Sequence, residues 1–114
     1  MKTISFQLPT IEQVNFEIEC LPEDMPIRGN AIASGDDVYD KEVEDNLIAE
    51  AEWNEWAWCM VKVTAKYKGA KGADYLGGCS YKSEKDFIEN SGYFEDMKQT
   101  AYAELITELE NMND

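Results

Sequence analysis

Residues 56–67, WAWCMVKVTAKY, alternate so strictly that they limit the chain to a narrow set of folds. One side of an extended strand here carries Ala57, Cys59, Val61, Val63, Ala65 and Tyr67. The other carries Trp56, Trp58, Met60, Lys62, Thr64 and Lys66. Side chains in a strand point alternately to opposite faces, so the first face is apolar and suited to packed helices. The second begins aromatic and ends basic. A glycine-punctuated stretch, KGAKG (68–72), follows and predicts a turn into a shorter strand around Tyr75–Tyr81.

The same period of two recurs near the start. Ile4, Phe6 and Leu8 alternate with polar residues, as do Val14, Phe16, Ile18 and Cys20, which predicts two half-buried strands joined around Pro9-Thr10. Pro22, Pro26, Gly29 and Gly35 then break the pattern into an irregular connection. Asp36 or Asp37 is a good N-cap for a helix whose apolar positions Val43, Leu47, Ile48 and Ala51 carry it to about Trp53. Ser83 and Asp86 have capping-box spacing and start a short helix that Ser91-Gly92 breaks. A last helix, from about Tyr93 to Met112, has one stripe of Phe94, Met97, Ala101, Leu105, Leu109 and Met112. The expected fold is α+β: residues 1–114 as one domain, an antiparallel sheet of about four strands in the order β-β-α-β-β-α, with helices packed on one face. On that arrangement Trp53 at the helix end belongs to the core, and Trp56, Trp58 and Met60 face either a cover, from the 22–35 loop or the first helix, or a partner.

Charge sets the class of partner. There are 24 acids against 10 bases, no histidine and a formal net charge of −14. Such a chain repels nucleic acid and acidic membranes and is drawn to basic surfaces. The acids are also segregated: residues 57–82 carry five lysines against Asp74 alone, while every flanking segment is strongly negative. Nine of the ten bases are lysine, which argues against adaptation to high salt.

Familiar catalytic chemistry is hard to place. Without histidine there is no Ser-His, Cys-His or metal-His arrangement. Cys20, Cys59 and Cys79 are odd in number and lack CxxC spacing, so neither a disulfide framework nor a zinc site is expected. The acidic run DDVYDKEVED (36–45) lacks the glycine and ligand spacing of a calcium loop. GAKG (69–72) matches a backbone-clamping GxxG pattern, but it joins two strands, where glycine is ordinary turn chemistry. No segment reads as a secretory signal or a membrane span. The expectation is therefore a cytoplasmic, non-enzymatic protein with no cofactor, no metal and no direct nucleic-acid binding.

With WAWC (56–59), YLGGCSY (75–81) and GYFEDM (92–97) read out, the chain resembles the small acidic proteins carried by phages and prophages. That type includes inhibitors of host defence, the anti-CRISPR and anti-restriction proteins, some of which imitate DNA. The resemblance implies a partner in the bacterial host cell: the basic nucleic-acid site of a defence protein or complex. Acidic helices would fill that site. From the residues, the candidates are Glu42, Asp45, Glu50 and Glu52 on the first helix and Glu95, Glu104 and Glu108 on the last. Trp56, Trp58 and Met60 form a second candidate contact. The alternative is a small assembly module, a homodimer through the Trp56/Trp58 face, with acidity serving solubility alone.

Overall fold

Two residues in the left-handed region close the central hairpin. Lys68 (φ +48°) and Gly69 (φ +82°) connect β2 (Cys59–Tyr67) to β3 (Ala70–Cys79), the backbone twist that two-residue hairpins favour. In this computed structural model residues 7–112 are described. The remaining elements are β1 (Asn15–Leu21), α1 (Asp37–Ala51), α2 (Glu84–Asn90) and α3 (Phe94–Met112). Short 3-10 turns precede β1 at Ile11–Gln13 and β2 at Glu55–Ala57. The strands form one antiparallel sheet in the order β1-β2-β3, so the fold is α+β.

The expected order is amended in three places. Three strands, not four, are present among the described residues, and most of the strand expected over residues 2–8 lies outside them. Residues 68–72 are not all turn: β3 begins at Ala70 and takes in Gly72. Trp56 and Trp58 do not start a strand either, because Glu55–Ala57 is a 3-10 turn and β2 begins at Cys59.

The chain clusters into two compact units. The first comprises Met1–Glu19, Lys62–Tyr75 and Gly92–Asp114, the second Cys20–Val61 and Leu76–Ser91. In the first, α3 buries Met97, Ala101, Leu105 and Leu109, four of the six stripe positions, while Met112 stays exposed. Val14, Val63, Ala65 and Ala70 complete that core. Gly72 lets the helix backbone come down onto the strand: a Cβ there would lie 2.3 Å from both Ala101 O and Leu105 N. The Tyr102 hydroxyl donates to Pro9 O at 2.7 Å, fastening the residues before β1 to α3.

The second unit has a smaller core of Ala57, Cys59, Val61, Cys79 and Phe87. Phe87 of α2 receives Tyr81 edge-on at 5.1 Å and Trp56 at 6.0 Å. Asp36 caps α1 by accepting from the Val38 and Tyr39 amides, and Ser83 caps α2 by accepting from Asp86 N. α1 buries none of its residues fully.

Candidate partner-binding surface

Trp58 is held within the second unit, with its indole N–H donating to Met25 O at 2.6 Å. It borders a cavity shared with Asn30, Ala31, Val43, Leu47 and Gly78. Trp58 therefore faces the 25–31 segment and α1, while Cys59 and Val61, which alternate with it, are fully buried. Trp56 and Met60 are likewise half-buried. Trp53 is the reverse of the expectation: it is 76% exposed. α1 stops at Ala51, and the Asn54 side chain turns the chain away before the indole can reach the core.

The carboxylates divide by what they touch. Asp45 pairs with Arg28 at 2.5 Å and Lys41 at 2.7 Å; the bonds from Lys41 and Arg28 hold its pKa below the ordinary aspartate value. Glu44 takes the other Arg28 nitrogen at 3.5 Å and the Gly29 amide at 2.7 Å. Glu50 accepts from Asn54 Nδ2 at 3.1 Å, and Glu95 pairs with Lys98 at 2.9 Å. Glu42, Glu52, Glu104 and Glu108 are exposed and make no ion pair among the described residues.

Helical geometry groups these acids further. At 100° per residue, Glu42, Asp45 and the C-cap residue Glu52 fall on one side of α1; Glu42 and Asp45, but not Glu52, line a shallow depression with Val38 and Lys41. Glu104 and Glu108 are one turn apart, roughly 6 Å along the α3 axis. Glu95, nine residues before Glu104, lies half a turn round the helix and does not belong to that group.

Other carboxylates are structural. Glu23 accepts from the amides of Gly78 at 2.5 Å and Met25 at 3.2 Å, which lowers its pKa. Gly78 needs its left-handed φ of +64°, and a Cβ on Gly77 would lie 2.9 Å from Glu23 Oε1. Glu17 is held low by Lys66, 2.8 Å away, and Asp86 by the Lys82 amide and Asn90. Glu23 escaped the sequence reading because its partner sits 55 residues along the chain.

The basic stretch has a defined form in the first unit. Lys62 lies over the Tyr75 ring at 5.5 Å, Lys68 over Tyr67 at 5.4 Å, and Lys66 is paired with Glu17. The cysteines are free, and burial pushes the thiols of Cys20, Cys59 and Cys79 up, so they behave as packing groups. No helix among the described residues is long and apolar enough to cross a membrane. No protein-family model, curated protein or solved structure matches the chain.

Proposed function

We propose that this chain is a non-catalytic binding protein that occupies the basic, nucleic-acid-gripping site of another protein. Its resemblance to phage-borne proteins makes a host-defence complex the natural setting. One observation carries the reading: the second unit holds 14 of the 24 acids against four of the 10 bases. Two of those four, Arg28 and Lys41, are already committed to Asp45 and Glu44. Glu42 and Glu52 are left as uncompensated charges on an exposed helix face. Glu104 and Glu108 add a second such pair, in the first unit. Carboxylates about one helical turn apart approach the spacing of phosphates along a strand, and such surfaces associate fast and weaken with salt. The homodimer alternative is less favoured, because Trp56 packs on Phe87 and Trp58 gives its N–H to Met25.

The test uses immobilised protein in extract from bacteria that carry defence complexes. Retention of a nucleic-acid-handling complex is expected at low salt, with release by duplex DNA. Glu42→Lys with Glu52→Lys, or Glu104→Lys with Glu108→Lys, should cut retention at least about tenfold, the scale of one or two lost charge pairs. Retention that DNA cannot displace would overturn the proposal.

A further inference from the structure

Among the described residues Trp53 is the least sheltered large aromatic, yet its backbone is anchored. Its amide donates to Glu50 O at 3.1 Å, and the next amide, Asn54 N, reaches the same carbonyl at 2.9 Å. The Asn54 side chain then accepts from Trp56 N at 3.1 Å and donates to Lys82 O at 3.2 Å. The corner between α1 and the 55–57 turn is thereby tied on both sides. An indole 76% exposed on such a corner is a displayed group, not the end of a loose loop.

Its surroundings specify what it would meet. α1 ends here without a basic residue in its last turn, so the negative end of the helix dipole is unrelieved. Glu52 immediately precedes Trp53 and Glu55 follows two residues later; both are exposed and neither has an ion-pair partner among the described residues. An anionic ligand is repelled from this corner. A cation is attracted three times over, by the helix end, the carboxylates and the electron-rich face of the indole. Among protein cations, guanidinium suits this set better than ammonium: it is planar, less strongly hydrated, and can stack on an indole while its edge bonds carboxylates.

We infer that Trp53, flanked by Glu52 and Glu55, is a seat for an arginine side chain on the surface of a protein partner. This deepens the proposed function and rests on it for the existence of a basic partner. It also shifts the aromatic contact away from Trp56 and Trp58 to the tryptophan left over when those two are packed.

The probes are octa-arginine and octa-lysine peptides, titrated at low salt while the three indole N–H resonances are followed by NMR. Expected is tighter binding of octa-arginine, with the Trp53 indole signal moving most. Trp53→Ala, a surface change, should bring octa-arginine down about three- to tenfold, to the octa-lysine level. Glu52→Gln with Glu55→Gln should weaken both peptides. If the two peptides bind the natural protein equally and Trp53→Ala binds as it does, the arginine seat is overturned while the anionic decoy reading survives. If neither peptide binds the natural protein, both fall together.

Discussion

Gly72 shows how much one missing side chain can decide. Among the glycines, only at Gly72 does helix backbone occupy the space of a Cβ. An added methyl at 2.3 Å from two backbone atoms has nowhere to go without moving the helix. Gly72→Ala should therefore destabilise the first unit by about 2–3 kcal/mol, at the upper end of overpacking effects, read as a lowered midpoint in urea. Ala at Gly69 is strained for a different reason, its positive φ, and meets no atom within 4 Å. From sequence these two glycines look alike, both members of KGAKG. What separates them is a helix thirty residues further on, which no local pattern reveals.

At the scale of elements, the parts governed by local chemistry were legible. Asp36 and Ser83 cap the helices that their spacing predicts, and the α3 stripe from Met97 to Leu109 is the buried one. So was the apolar face of β2 from Cys59 to Ala65. What periodicity could not supply is where α1 gives out. Its spacing allows continuation to Trp53, but Asn54 accepts from Trp56 N and starts a new turn, leaving the indole outside. The same limit applies to the acids: spacing tells which share a side of a helix, not which are consumed by Arg28, whose segment is irregular. α1 also carries acids toward its C-terminal end, where the dipole favours cations. Glu52→Lys should then raise the helix's stability, by about 0.3–1 kcal/mol, while weakening partner binding. A thermal melt and a binding assay on the same variant check the pair of effects; loss of both stability and binding would mark Glu52 as a structural residue.

Across the whole molecule, acidity is both a surface property and a source of pH dependence. Glu17, Glu23, Asp45 and Asp86 all have folded-state pKa values below their ordinary ones of 4.5 for Glu and 3.8 for Asp. A carboxylate depressed on folding adds stability that is complete above its unfolded value and is lost as pH falls through its folded value. Unfolding followed from pH 7 downward should show stability dropping below about pH 4, and Glu23→Gln should flatten part of that fall. The chain path has a consequence of its own. The first unit draws on three stretches that span residues 1–114, and the second on two, so neither is a contiguous piece. During synthesis, the β2–β3 hairpin emerges well before Ala101 and Leu105 exist to cover it. Its apolar side must wait, shielded or at risk, until the ribosome has made α3, and no single cut can release either unit as a self-sufficient fragment.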